Sequence, residues 1–393
     1  MIVLFTLIFF VGYHTFYPIL PLYIVDVGAS KFELGLILSV FRGFAILTIL
    51  LSGLISARIG KWLTLLFSMS LQLASFILYS IAPSSLFLYP ITILYAISFA
   101  AFGPISMSIA LDLAPTTRRG TIMGRYFGAI GAAMIIGPAI ASFLALHFDF
   151  KAMLIIASLL PLFCISFFLV SLKRKLITLP IKSSYDQKGS FKTFVTMRRI
   201  LLLRNVFIIC FIQLSFYIAT GVFDTLFPIY ARESLWLTAS TISLLYAARG
   251  LPNSIIRIPI GTLSDRIGRL APIIISHSLA FLAIFLIPDM KEVWILALLM
   301  GIYGVGWGAR IPSSAAFLAD NVKSDEINIA SSLLWLNAFL GMTLGSLLAG
   351  STTLILPIPT ILKISSFFII LGILSLYFVK RTKDFKTLPR LRK

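Results

Sequence analysis

Three arginines sit inside long apolar runs, where a chain of this kind would ordinarily carry no charge. A helical rise of about 1.5 Å per residue puts Arg42, Arg249 and Arg310 roughly 16, 18 and 15 Å from the run ends marked by Gly53, Gly261 and Asp320. If those runs cross a bilayer whose apolar core is about 30 Å thick, all three lie near mid-depth, where a charge is costly unless it faces a cavity or a partner. Arg42 and Arg249 hold equivalent places in an internal repeat described below. Facing each other across a cavity, their guanidinium forks would hold a carboxylate, a phosphate or another oxyanion. The same cations can instead be used internally, Arg249 with Asp224, or an arginine over aromatic rings such as Phe41, Tyr246 and Trp307. Both readings stay open at this stage. Arg257, about one turn from Gly261, can snorkel to the surface and is read as structural.

Asp224, in GVFDTLFPIY, is the only acidic residue well inside a run. Burial raises a carboxyl pKa and a neighbouring arginine lowers it, so a carboxyl exposed alternately to both could load and release a proton. His14 is a second proton-coupling candidate because imidazole titrates near neutral pH, although a packing histidine beside Tyr13 and Tyr17 is the plainer reading. Tyr17 and Trp307 join the arginines and Asp224 as candidate solute contacts. The segment GIYGVGWGARIP, from Gly301 to Pro312, joins four glycines to Tyr303, Trp307 and Arg310, suiting a helix that packs closely and lines a cavity. Cys164, Cys210, His14, His147 and His277 are scattered without metal-ligand spacing, so no metal site and no cofactor is expected.

These residues need elements that hold them at depth. Of 393 residues, 59% are hydrophobic and 12% charged, which excludes a soluble fold because so much apolar surface cannot be buried in a water-bounded core. Apolar stretches fall near 2–25, 33–56, 62–82, 86–111, 121–146, 152–172, 203–230, 239–261, 271–288, 292–318, 328–356 and 361–379. At about 20 residues per crossing, twelve spans use about 240 residues and leave only short loops. The first stretch has neither a basic leader nor a cleavage site and is expected to be retained as a span.

Lysine and arginine concentrate in alternate connections and in the C-terminal tail, while the opposite loops hold only Lys31, Lys151, Arg232, Lys291 and Lys363. The positive-inside rule then places both termini in the cytoplasm of a multi-pass cell-membrane protein. The net charge of +19 thereby becomes a topology signal with affinity for anionic headgroups, and nucleic acid is not needed to explain it. Residues 173–202 form a basic linker between six-span segments 1–172 and 203–380, and 381–393 form a basic tail. Phe191, Phe194 and Val195 share one helical face at the end of the linker, as in an interfacial helix; a solvated connector fits equally.

The two segments repeat. GLISARIGK at Gly53–Lys61 matches GTLSDRIGR at Gly261–Arg269 with a shift of 208, which also maps Pro104 to Pro312, Asp112 to Asp320 and Gly137 to Gly345. Toward the other end of the spans the shift is 207, mapping Pro21 to Pro228 and Arg42 to Arg249. Two parallel six-helix bundles are the architecture of transporters that rock about a midplane site. Pro18 and Pro21 in span 1 and Pro228 in span 7 suggest outer-half kinks.

The chain resembles the major facilitator superfamily over nearly its whole length. Its most specific feature is G-x-L-x-D-R-x-G-R, complete in Gly261, Leu263, Asp265, Arg266, Gly268 and Arg269 and echoed by Gly53, Arg58, Gly60 and Lys61. DLAPTTRRGTIMG, from Asp112 to Gly124, is similar to the family's connection between spans 4 and 5. GAAMIIGPAIA at Gly131–Ala141 looks like the Gly-Pro element of family antiporters, with Ala141 and Ser142 in place of its last glycines. The resemblance implies an all-α integral membrane fold of twelve transmembrane helices in two six-helix bundles. It also implies a cytoplasmic charge network that gates the cavity, with Gly53, Arg58, Gly60, Asp112, Arg118, Arg119, Gly261, Asp265, Arg266, Gly268, Arg269 and Asp320 as its members, and a monomer. Glycine at a span end would let another helix approach closely. Ala57 stands where the family usually has Asp, so locking is expected to lean on the second copy. Span 4, LYAISFAAFGP, lacks the arginine many proton-coupled family antiporters carry.

The expected function is secondary active transport of a small solute by alternating access, proton-coupled and like a drug or metabolite exporter. No nucleotide-binding loop is present to power it otherwise. The alternative is an anion transporter built on Arg42 and Arg249. A transport-inactive sensor or an intramembrane enzyme is the third class, and the enzyme lacks any evident nucleophile and base constellation.

Overall fold

The structure, a computed structural model, describes residues 1–115, 118–174, 196–323 and 326–378. Among them it is helical throughout: α1 (Ile2–Phe16), α2 (Leu20–Asp26), α3 (Lys31–Ile59), α4 (Lys61–Ser80), α5 (Ser85–Asp112), α6 (Arg119–His147) and α7 (Phe150–Lys173) form the first bundle. The second holds α8 (Arg204–Glu233), α9 (Ala239–Ile267), α10 (Leu270–Leu286), α11 (Val293–Ala319), α12 (Ile327–Thr352) and α13 (Ile358–Ser375).

Ten helices are each long and apolar enough to cross a membrane, and α1 with α2 makes an eleventh span bent by 45°. The bend falls at Pro18 and Pro21, as their sequence implies, because proline cannot donate the helical hydrogen bond. Pro228 causes no comparable break, since α8 runs as one helix from Arg204 to Glu233. The twelfth span is α9, 29 residues long and less apolar because Arg249, Arg257, Asp265 and Arg266 lie along it. Helix starts follow local chemistry: Ser30 and Glu33 form a capping box at α3, and Asp149 accepts from the Ala152 amide at α7 (2.9 Å).

Each bundle packs mainly on itself, and α3 against α12 and α6 against α9 join the two. The α3/α12 crossing is close enough that a Cβ at Gly35 would stand 2.6 Å from the Gly350 Cα. Ser39 Oγ adds a bond to the Thr343 carbonyl (3.1 Å) across the same seam. At that end Lys31 pairs with Glu233 (2.6 Å) and Arg232 with Asp26 (2.5 Å), both between bundles. At the opposite end, among the described residues, no ion pair joins the bundles, and Arg58, Arg118 and Arg266 are exposed. Among the described residues, the ion pairs between the bundles therefore lie at the Lys31 end. The Phe191–Val195 face lies outside the described residues. Just beyond it, residues 196–201 are helical, with Ile200 buried in the second bundle's core and Arg199 paired with Glu326 at the start of α12.

Candidate functional site

The deepest polar cluster lies between the bundles. Arg249 Nη1 donates to Asp224 Oδ1 (2.6 Å), and the two side chains are 4% and 1% exposed. The hydroxyl of Tyr17 donates to the other carboxylate oxygen, Oδ2, at 2.5 Å. The guanidinium also sits over three rings, Tyr246 at 4.5 Å, Trp307 at 4.7 Å and Tyr303 at 5.4 Å. The rings supply the negative faces that a buried cation needs once water is excluded. Close helix packing fixes the arrangement, because a methyl on Gly304 of α11 would overlap the Arg249 carbonyl.

Asp224 thus receives one partner from its own bundle and one from the other. Tyr17 and Asp224 are 207 residues apart, the same shift that relates Arg42 to Arg249. In the first bundle the place of Asp224 is held by a tyrosine, so Arg42 has no carboxylate within its bundle. It donates across the interface to the Met342 carbonyl (2.9 Å), the Gly221 carbonyl (3.4 Å) and Ser346 Oγ. The two arginines therefore do not form a facing open pair: each is engaged by protein acceptors, and of the two internal partnerships expected for Arg249, both the Asp224 pair and the aromatic contacts are present.

Arg310, 1% exposed, stands one turn beyond Trp307, its guanidinium against the rings of Phe216 (4.1 Å) and Tyr217 (4.3 Å). Its Nη1 donates to Gln213 Oε1, and Gln213 Nε2 donates to Ser314 Oγ (2.6 Å). Sequence reasoning missed Gln213, an uncharged residue in an apolar run; its polarity at helical depth was the only available signal. His14 joins an aromatic array with Tyr13 (ring centroids 5.0 Å), Tyr17 (6.2 Å) and Phe10 (6.4 Å), with no hydrogen bond to Asp224. Arg257 binds Asn253 Oδ1 through Nε (3.1 Å) and Nη2 (2.7 Å) and touches Met134 of the other bundle, rather than reaching the surface.

The signature residues separate into two jobs. Gly60 and Gly268 end α3 and α9 at φ of 90° and 89°, a backbone conformation that favours glycine. Gly53 and Gly261 meet open space, unlike the close helix approach expected of them. Lys61 pairs with Asp112 (2.6 Å) and, 208 residues on, Arg269 pairs with Asp320 (3.0 Å). Arg269 also binds Asp265, a contact that Ala57 denies to Lys61. The Arg119 side chain lies outside the described residues. A cavity of about 260 Å³ opens beside Ile256, Pro259, Ile260 and Arg266, toward the Arg266 end of α9 and away from Asp224.

Two pseudo-equivalent bundles of membrane-length helices around a buried polar centre define a multi-pass membrane protein of transporter architecture. The sequence model of the Major Facilitator Superfamily matches residues 2–220 and again 209–393, so the chain belongs to that superfamily and is a transporter of the membrane. It is 21% identical over 351 residues to the quinolone resistance protein NorA of Staphylococcus aureus (strain COL), covering 87% of this chain and 86% of that one. It is 24% identical over 370 residues to an uncharacterized MFS-type transporter of Methanocaldococcus jannaschii, covering 93% of each. Among solved structures, a bacterial homolog of the human lysosomal transporter Spinster, inward-facing and unoccupied, matches with TM-score 0.76 at 12% identity, covering 96% of this chain and 95% of that one. A POT family transporter in complex with 5-aminolevulinic acid matches with TM-score 0.79 at 15% identity, with coverage of 96% and 95%.

Proposed function

We propose that this transporter exports a small drug-like or metabolite solute by alternating access, in exchange for protons that load Asp224. The observation that carries the reading is the position of Asp224: a buried carboxylate held by Arg249 from its own bundle and by Tyr17 from the other. Protonation removes the charge that Arg249 neutralises and leaves Tyr17 facing a weaker acceptor, so proton occupancy acts on both an ion pair and a bond between bundles. The similarity to a quinolone resistance protein supports export of a drug-like solute. In this reading residues 1–172 and 203–380 are the moving units, 173–202 the basic linker and 381–393 the basic tail. Both termini are cytoplasmic. The anion reading through Arg42 and Arg249 draws no support here, because protein acceptors engage both guanidinium groups.

The test is flux of a fluorescent quinolone in proteoliposomes under an imposed proton gradient. Wild type should show gradient-driven movement, and Asp224→Asn should retain binding while losing the dependence on the gradient. Gradient-driven flux that survives Asp224→Asn would refute the assignment.

A further inference from the structure

Among the described residues, Arg310 is the arginine with two donor nitrogens fully buried and without a partner: Nη1 is taken by Gln213, while Nε and Nη2 have no acceptor. These are not arbitrary leftovers. Nε and Nη2 lie on one edge of the guanidinium plane, with their N–H bonds nearly parallel, the edge that a carboxylate meets with both oxygens. A fully buried cation with two unmet donors is expensive, and only a group of opposite charge removes both costs together.

The protein does not supply that group. Asp224, the only carboxylate deep in a span, is committed to Arg249 and Tyr17. Another cation, Arg257, is close enough to Arg310 for the two to repel. Arg257 is only partly buried, and its contact with Met134 of the first bundle sets it at the interface the bundles share. The rings of Phe216 and Tyr217, nearly perpendicular to each other, form a corner against the Arg310 guanidinium.

We infer that the free edge of Arg310 is the docking point for the carboxylate of the transported solute. The inference rests on the transporter reading above and narrows its solute class to small molecules bearing a monovalent carboxylate. A halide engages one point and leaves the second N–H unmet.

The test measures binding, so it stands apart from flux. Purified full-length protein in detergent is titrated with sodium benzoate, its neutral isostere benzamide, and sodium chloride at matched ionic strength, and the thermal midpoint is followed. Benzoate should raise the midpoint in a saturable way, and benzamide and chloride should not. Arg310→Lys keeps the charge but loses the fork and should weaken benzoate at least about tenfold. Gln213→Glu places a carboxylate of the protein itself on Arg310. It should raise the midpoint without ligand and suppress the benzoate shift, a result that does not depend on tolerating loss of the arginine. An equal chloride response, no benzoate response, or a benzoate shift unchanged in both variants would overturn the site. If benzoate binds as described but no solute moves in proteoliposomes, the carboxylate site stands and the transport reading falls.

Discussion

The Asp224–Arg249 pair allows a sharp test, because its two members respond differently to losing each other. Both are almost wholly shielded, at 1% and 4% side-chain exposure, so removing one partner leaves the other in a poorly screened environment. In Asp224→Asn the stranded group is a guanidinium, which cannot shed its proton. Its rings and the Asn oxygen offset part of that cost, but the loss should approach the about 3–5 kcal/mol typical of a broken buried pair. In Arg249→Gln the stranded group is a carboxylate that can take up a proton and keep Tyr17 as a partner, so the loss should be about 1–3 kcal/mol. The double variant Asp224→Asn/Arg249→Gln carries no net charge at the site and should be more stable than Asp224→Asn alone. Thermal unfolding of the four proteins in detergent at one pH reads the cycle. Equal losses in the single variants, or a double loss equal to their sum, would refute the claim that the two groups compensate one another there.

Two further outcomes follow from the same geometry. In Gly35→Ala the new methyl would stand 2.6 Å from Gly350 against an ordinary contact of 3.4 Å, so the α3/α12 seam must part by about 0.8 Å; a thiol placed by Ser39→Cys should then react faster with a water-soluble maleimide, whereas Gly43→Ala, in open space, should leave the rate unchanged. Ala57→Asp would recreate at Lys61 the i,i+4 pair that Asp265 makes with Arg269, raising stability by no more than about 0.5 kcal/mol in thermal unfolding at low salt and by less at high salt.

Much of the architecture was legible because a bilayer imposes a length on its spans and a repeat imposes a register on its halves. Even α9, with four charged residues along it, was legible as the apolar stretch 239–261, and the match of its end to Gly53–Lys61 fixed its place in the repeat. The bend at Pro18 and Pro21 was legible for a covalent reason, whereas Pro228 shows that the same residue can be absorbed within a continuous helix. The centre was legible only as a pair of alternatives. Arg42 binds main-chain oxygens of α8 and α12 and the Ser346 hydroxyl, and neither a backbone acceptor nor a serine in an apolar run stands out in a sequence, so nothing in residue types could distinguish that fate from an open fork. Arg249 differs because its partner is an acidic side chain, and Asp224 was visible as the one carboxylate at depth. The signature glycines were misjudged in part: close approach was expected at Gly53 and Gly261, while the structure shows a turn requirement at Gly60 and Gly268.

The hydrogen bond between Tyr17 and Asp224 joins a residue to its own counterpart in the other repeat. Two counterparts in parallel repeats touch only where the pseudo-twofold axis passes between them, so this bond straddles the axis. The bundles rock about a line in the membrane plane, so the lever arm grows with depth from the centre: Lys31 with Glu233, at the end of α8 beyond Asp224, has the longer one and must travel when the bundles exchange which end is shut. At the fulcrum the same rotation produces little displacement. A bond placed there can act as a bearing that stays seated through the stroke, leaving the peripheral ion pairs to serve as the latches.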